Sequence, residues 1–188
     1  KITDKINFWH QGQDDENTIA ISGENGLGKS FLMKHLEIEL QEKGIETTYI
    51  SIDEKITTPS SIEKYLDDKL NIKTSKNKAK IEGEDEESDT TKKRVILVDN
   101  TQNLFLAKLG GFDGFDTFMQ IINSNYKNVL WCCSITEQSW IYLECVTNST
   151  HYFRSHFRMP KWKDTELNKL ITSAHNKTNF KYKFDKIL

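Results

Sequence analysis

Eight residues, from Gly23 to Ser30, constrain this chain more than any other segment. They read Gly-Glu-Asn-Gly-Leu-Gly-Lys-Ser and fit the pattern G-x-x-x-x-G-K-[ST] at every fixed position. Glycines accept positive φ angles and let backbone N–H groups approach phosphate oxygens without an intervening Cβ. Lys29 supplies a positive charge for β- and γ-phosphates, and the Ser30 hydroxyl is a hard oxygen of the kind that Mg²⁺ accepts. The pattern therefore predicts a loop that binds a polyphosphate together with magnesium.

The sequence on either side of this loop supports the prediction. Thr18 to Ser22 is a short, β-branched apolar run that predicts a buried strand. The following segment predicts a helix that ends at Gly44, with its apolar face at Leu32, Leu36, Ile38 and Leu40. The alternative is a glycine-rich turn in which Lys-Ser occurs by chance. The order strand, glycine loop, helix favours phosphate binding.

The rest of the chain continues the alternation of strands and helices. Further strands are predicted at 47–52, 95–98 and 128–134, and a last one within 150–158. Helices are predicted after each of them, beginning at Thr58-Pro59, around Phe115 to Ile122, around Trp140, and at Asp164, which we expect to cap the final helix. This alternation predicts an α/β fold with a parallel sheet and helices on both faces.

Composition excludes several classes of protein. The 188 residues suffice for one α/β domain, and a net charge of −2 carries no signal of nucleic-acid or membrane-surface binding. The three cysteines lack metal-ligand spacing and predict buried thiols in a reducing compartment. No apolar stretch has the length of a membrane span. We expect a cytoplasmic protein.

The segment 73–93 differs in composition from its surroundings. Its first half is lysine-rich, its second half is acidic, and it has little to bury. It predicts a mobile surface insertion within a core that spans 1–160, and a regulatory contact is the alternative. We expect 161–188 to begin a helical lid or linker that is truncated here, with further domains in a longer chain.

The residues that end each predicted strand are candidates for the binding site, because ligands of open parallel sheets lie at the carboxyl ends of the strands. These residues are Gly23, Asp53-Glu54, Asp99-Asn100 and Ser134 to Thr136. Asp99 follows four apolar residues, which is typical of a carboxylate that holds magnesium; a helix cap or turn former is the alternative. With the glycine loop upstream, Ser30 and Asp99 predict one metal site.

Together these segments resemble the P-loop ATPases of the additional-strand type, in particular the AAA+ and STAND group. The resemblance rests on Gly23 to Ser30 as the Walker A loop, on Val95 to Asp99 as Walker B, on the strand that ends at Ser134, and on Phe157 to Ile171. The stretch Val98-Asp99-Asn100-Thr101-Gln102-Asn103-Leu104 is similar to the D-E-A-Q-N-L stretch of such ATPases. It implies a three-layer fold with a five-stranded parallel sheet in the order 5-1-4-3-2, and ATP with Mg²⁺ as cofactors.

The resemblance also implies roles for single residues. Ser134 or Thr136 would be the sensor of the γ-phosphate, and Arg154 or Arg158 would be an arginine finger acting on a neighbouring subunit of a homo-oligomer. The nucleotide-binding set is Gly23, Glu24, Asn25, Gly26, Leu27, Gly28, Lys29, Ser30 and Phe31. The catalytic set is Lys29, Asp99, Asn100, Glu54 and Ser134.

This chain departs from the family directly after the Walker B aspartate. A glutamate is usual there, and this chain has Asn100. An amide orients water but does not accept its proton, so the sequence predicts slow hydrolysis or none. By likeness to the RecA branch, Glu54 at the end of the second strand would substitute for the missing glutamate. The alternative is that Glu54 is a solvated turn residue.

Other patterns are weaker. Phe8-Trp9-His10 is a candidate adenine contact, with simple packing as the alternative. Asn176-Lys177-Thr178-Asn179 does not complete a GTPase guanine motif, and two arginines after the fourth strand are too few for a small-molecule kinase lid. The leading hypothesis is a Mg-ATP-binding domain that couples nucleotide state and slow hydrolysis to assembly or an effector. A non-hydrolysing nucleotide-gated scaffold or switch is the alternative.

Overall fold

The computed structural model of the chain describes residues 2–70, 93–125, 127–147 and 152–177. Within these ranges strands and helices alternate. The helices are α1 (Ile2–His10), α2 (Lys29–Glu42), α3 (Pro59–Leu70), α4 (Asp113–Ser124), α5 (Glu137–Thr147) and α6 (Asp164–Asn176), with a 3₁₀ helix at Thr101–Leu104. The strands are β1 (Thr18–Gly23), β2 (Glu46–Ser51), β3 (Arg94–Asp99), β4 (Val129–Thr136) and β5 (Ser155–Arg158).

The five strands of the described residues form one parallel sheet in the order β2-β3-β4-β1-β5. Read from the other edge, this is the predicted order 5-1-4-3-2. The predicted fold class is therefore confirmed. β1 lies between β4 and β5, and the loop after β1 starts at the carboxyl edge of the sheet, beside the end of β4.

Each face of the sheet carries its own apolar core, because successive side chains of a strand point to opposite faces. Ile19 and Ile21 of β1 face the core made with α1 and α2. Ala20 belongs to the core on the other face, which is made with α3, α4 and α5. Asp99 follows Val95 and Leu97 at alternate positions of β3 and so lies on the α2 face. The glycine loop and Asp99 therefore share one face.

Two details of the helices differ from the sequence-based expectation. Ile38 is 55% exposed, and Met33 is buried with Leu36 and Leu40 instead. The reason is the 3.6-residue period, which brings positions 33, 36 and 40 to one side of α2 and turns 38 away. Asp164 is the first residue of α6 and does not cap it: the Lys163 N–H donates to the Glu166 carboxylate at 3.1 Å.

Two predicted features of the domain organisation lie near the ends of described segments: the insertion at 73–93 and the division near residue 160. Most of the predicted insertion lies outside the described residues. Lys93 is described, and it donates to the Trp9 carbonyl at 2.6 Å, with its ammonium 4.8 Å from the Trp9 ring centroid. Lys93, the last residue of the predicted insertion, therefore contacts α1, and the insertion itself stays a prediction. α6 has no buried residue, and the division near residue 160 stays a prediction.

Candidate functional site

The glycine loop links Gly23, the last residue of β1, to the first turn of α2. Gly26 and Gly28 have φ angles of 83° and 92°, which L side chains rarely adopt. Lys29 is the first residue of α2 and Ser30 the second, so the N-terminal end of α2 faces the loop. Ser30 is exposed and Phe31 is 77% exposed, which leaves both side chains accessible at the mouth of the loop.

The Lys29 ammonium lies inside the curve of the loop. Its Nζ donates to the carbonyl oxygens of Gly23 at 2.9 Å and Glu24 at 3.0 Å. Burial lowers the pKa of Lys29, and the negative charge of Asp99 opposes this shift. Lys29 is thus a cation that shares the site with the Asp99 carboxylate.

Asp99 is 1% exposed, and its two oxygens have different partners. Oδ1 accepts from the Ser134 hydroxyl and from the Asn100 N–H, the latter at 3.0 Å. Oδ2 accepts from the Tyr49 hydroxyl at 3.0 Å. Desolvation, followed by the charge of Asp99, raises the pKa of Tyr49 to about 12.

The structure distinguishes the two sensor candidates. Ser134 contacts both Asp99 and the Asn100 N–H, the latter at 3.2 Å. Thr136 instead accepts the Ser139 N–H at 3.4 Å in the first turn of α5. Of the two, Ser134 lies in the candidate site.

Asn100 lies beside this group in a strained backbone conformation. With φ 61° and ψ 39°, it is the one non-glycine residue of positive φ among the described residues. Its amide is engaged on both sides: Nδ2 donates to Ser51 Oγ at 3.2 Å, and Oδ1 accepts from Gln102 Nε2 at 3.2 Å. The side chain is therefore directed towards the end of β2 and held there.

Glu54 does not join these residues. It is exposed in the turn between β2 and α3. Within the described ranges it has no hydrogen bond to Asp99, Asn100 or Ser134. Its position matches the alternative, a solvated turn residue.

The two arginine-finger candidates lie at opposite ends of β5. Arg158 is in register with Ser22 beside the loop and forms an ion pair with the buried Glu137. Arg154 precedes β5 at the amino end of the sheet, where its N–H donates to Thr18 Oγ1 at 3.0 Å. The Glu137 carboxylate also accepts from the Ser22 hydroxyl at 3.2 Å.

The donor set of the site suits magnesium. In the part of the chain that the structure describes, no three His, Cys, Asp or Glu side chains cluster as a metal centre. The Ser30 hydroxyl and the Asp99 carboxylate offer hard oxygen atoms, and Mg²⁺ commonly takes few protein ligands and completes its shell with phosphate and water. The same described ranges contain no helix that could cross a membrane.

The Phe8-Trp9-His10 segment lies in α1, which the sequence analysis did not predict. Trp9 is 2% exposed and packs in the core on the α2 face. Phe8 is 51% exposed. The position of Trp9 therefore agrees with simple packing, the alternative to an adenine contact.

The family model described as Nephrocystin 3, N-terminal matches residues 2–105, which is more than half of the 188 residues. The chain belongs to this family. The matched range contains the glycine loop, Tyr49, Asp99 and Asn100. No curated protein sequence matches the chain.

Solved structures of AAA+ proteins match the fold. Cdc6p from Pyrobaculum aerophilum aligns with a TM-score of 0.60 at 11% identity, over 93% of this chain and 48% of that chain. The Orc1 protein of Aeropyrum pernix, solved in complex with DNA, aligns with a TM-score of 0.59 at 12% identity, over 92% and 47%. AMPPCP-bound DnaA from Aquifex aeolicus aligns with a TM-score of 0.52 at 16% identity, over 90% and 48%.

These matches confirm the predicted resemblance to P-loop ATPases of the additional-strand, AAA+/STAND-like type. At such identities the structural likeness shows the fold alone. The chain spans about half the length of the structures that it matches. The DNA in the Orc1 structure belongs to that protein.

Sequence reasoning missed Tyr49, although its hydroxyl donates to the Asp99 carboxylate. The alternation in β2 indicates that Tyr49 and Ser51 share a face of the sheet. It does not indicate which residue of β3 lies opposite. That pairing, Ser51 with Asp99, is a property of the register between the strands.

Proposed function

We propose that this domain binds Mg-ATP at the Gly23–Ser30 loop and retains it with slow hydrolysis or none. In this proposal the backbone N–H groups of the loop and Lys29 bind the phosphates, with Gly23 to Phe31 around the nucleotide. Ser30 and Asp99 hold magnesium, which would neutralise charge on the β- and γ-phosphates. Ser134 reports the γ-phosphate to Asp99 and Asn100.

The observation that carries the proposal is the convergence of Lys29 and Asp99. The loop folds around the Lys29 ammonium, and the charge of Asp99 acts on its pKa. A phosphate group can replace the two loop carbonyls as the partner of Lys29, because the ammonium is attracted more strongly to a charged phosphate oxygen than to a neutral carbonyl. AMPPCP in the DnaA structure belongs to that protein, and it agrees with nucleotide binding by this fold.

Slow turnover is supported by the groups beside the site. The Asn100 amide cannot accept a proton, and it is engaged with Ser51 and Gln102. Glu54 is exposed in its turn. A domain of this kind acts best as a switch, in which bound ATP or ADP sets the state of an assembly or of an attached effector.

A homo-oligomer with an arginine acting in trans is part of the proposal. Arg154 is exposed, whereas Arg158 is paired with Glu137 and must leave that partner first. Arg154 is therefore the better candidate. A cytoplasmic location stays a prediction from cysteine usage.

Turnover of bound ATP tests the proposal. Purified protein is incubated with Mg-ATP, and nucleotides are separated after quenching. We expect turnover on the order of 10⁻³ s⁻¹ or below, as in P-loop proteins that lack a complete catalytic set. Glu54→Ala should leave it unchanged, as should Asp68→Ala, an exposed carboxylate on α3. Turnover near 1 s⁻¹ that Glu54→Ala alone abolishes would refute slow hydrolysis and establish Glu54 as the base.

A further inference from the structure

Tyr49 contacts both α2, the helix that follows the glycine loop, and Asp99, the predicted Walker B aspartate. Its hydroxyl donates to Asp99 Oδ2 at 3.0 Å, whereas the Ser134 hydroxyl and the Asn100 N–H both use Oδ1. Within the described residues Tyr49 is the one hydrogen-bond donor on Oδ2. One oxygen of the carboxylate therefore depends on Tyr49 for its direction.

Tyr49 is itself held by α2. Its N–H donates to Glu37 Oε1 at 3.0 Å, and the Lys34 ammonium lies 5.7 Å from its ring centroid. The ring is half-buried and packs against the core on the α2 face. Lys34 and Glu37 follow Ser30 by about one and two turns of the same helix. The two proposed magnesium ligands are therefore linked through Tyr49.

We propose that Tyr49 is a positioning residue that fixes the Asp99 carboxylate for the magnesium of bound nucleotide. The inference rests on the proposed function. The χ2 angle of an aspartate is broad, so the Tyr49 donor on Oδ2 narrows the range of orientations that the two donors on Oδ1 leave open. Groups that orient a metal ligand commonly change metal affinity 10- to 100-fold. Tyr49 should therefore affect how strongly magnesium favours nucleotide binding, and have little effect on nucleotide binding without magnesium.

The test compares ATP affinity with Mg²⁺ and with EDTA by calorimetry on the full chain. For Tyr49→Phe we expect the ratio of the two affinities to fall at least about tenfold. The affinity in EDTA should stay within about twofold of the unmutated chain, because Lys29 and the loop are unchanged. Tyr65→Phe is the matched control, since its hydroxyl donates to the Ser51 carbonyl at 2.7 Å and it does not contact Asp99.

A second measurement follows the metal directly. The electron paramagnetic resonance spectrum of Mn²⁺ bound with ADP should differ between Tyr49→Phe and the unmutated chain, and should not change in Tyr65→Phe. Thermal melting establishes that both variants fold.

The outcomes separate the inference from the proposed function. If Tyr49→Phe still binds ATP, and neither the ratio of its ATP affinities with Mg²⁺ and with EDTA nor its manganese spectrum changes, the inference is overturned and the proposed function stands. An equal loss of affinity in EDTA would also overturn it, by showing a general structural role. Failure of the unmutated chain to bind ATP under either condition would overturn the proposed function and the inference with it.

Discussion

At the scale of single residues, Asn100 decides how far the family resemblance extends. Its identity is visible in the sequence and predicts slow hydrolysis. Its left-handed backbone conformation is not visible there, because it arises where β3 turns sharply into the 3₁₀ helix. Asparagine tolerates this region better than most residues. Both the side chain and the backbone at this position therefore distinguish it from the usual glutamate.

The left-handed backbone at Asn100 predicts that alanine at this position is less stable than glycine, the reverse of the ordinary order. Asn100→Ala and Asn100→Gly both remove the amide, but alanine adds a Cβ at φ 61°. We expect Asn100→Ala to be less stable than Asn100→Gly by about 1 kcal/mol, because the left-handed region costs residues with a Cβ roughly that amount. Urea unfolding of the two variants measures the difference. Alanine equal to or more stable than glycine, the ordinary order, would contradict the described backbone.

At the scale of elements, α4 packs closely against the loop that follows β2. The sequence suggests a glycine-rich connection at 110–114, but Gly114 lies inside α4. Its N–H donates to the Thr57 carbonyl at 3.0 Å, and a Cβ on it would lie 2.7 Å from the Thr57 carbonyl carbon. This glycine is required by packing, which composition alone does not indicate.

The close contact predicts that Gly114→Ala is destabilising despite the better helix propensity of alanine. Overpacking against backbone typically costs 1–3 kcal/mol, and we expect a loss of roughly 2 kcal/mol in the free energy of unfolding. Gln120→Ala, at an exposed position of the same helix, should change it by less than about 0.5 kcal/mol. Denaturant unfolding checks both variants. A Gly114→Ala protein as stable as Gln120→Ala would show that α4 does not pack against this loop.

At the scale of the whole molecule, the family resemblance implies the strand order, whereas the sequence patterns predict the alternation of strands and helices and the position of the glycine loop. They do so because apolar strand runs, polar strand ends and the helix after the loop are local signals. The contacts of Asp99 with Tyr49 and Ser134 depend on register across three strands. Those contacts arise from packing, which one sequence does not specify.

The stability of the molecule should depend on pH through His156. Its ring stacks on the Trp140 ring with the two centroids 4.0 Å apart, and its Nε2 lies 2.8 Å from Ser22 Oγ. The Ser22 hydroxyl also donates to Glu137, which pairs with Arg158. Burial lowers the pKa of His156 from 6.5, and Glu144 opposes the shift. The unfolded chain thus takes up the proton first, so this contribution is complete above about pH 6.5 and is lost as pH falls.

Urea unfolding between pH 7.5 and pH 5 measures this dependence. We expect the unmutated chain to lose stability as pH falls through this range, and His156→Gln to lose less. His35→Gln, at an exposed position of α2, should behave like the unmutated chain. An identical slope in His156→Gln would contradict a His156 whose contacts with Trp140 and Ser22 favour its neutral form.

The central claim, that the glycine loop binds a magnesium nucleotide, is tested most directly by calorimetric titration of Mg-ATP. We predict saturable binding by the unmutated chain and at least a tenfold loss in Lys29→Ala, because a charge-assisted hydrogen bond contributes roughly 1.5–3 kcal/mol. Lys69→Ala, an exposed lysine of α3, should bind like the unmutated chain. Equal affinity in Lys29→Ala, or no binding by the unmutated chain, would contradict the account.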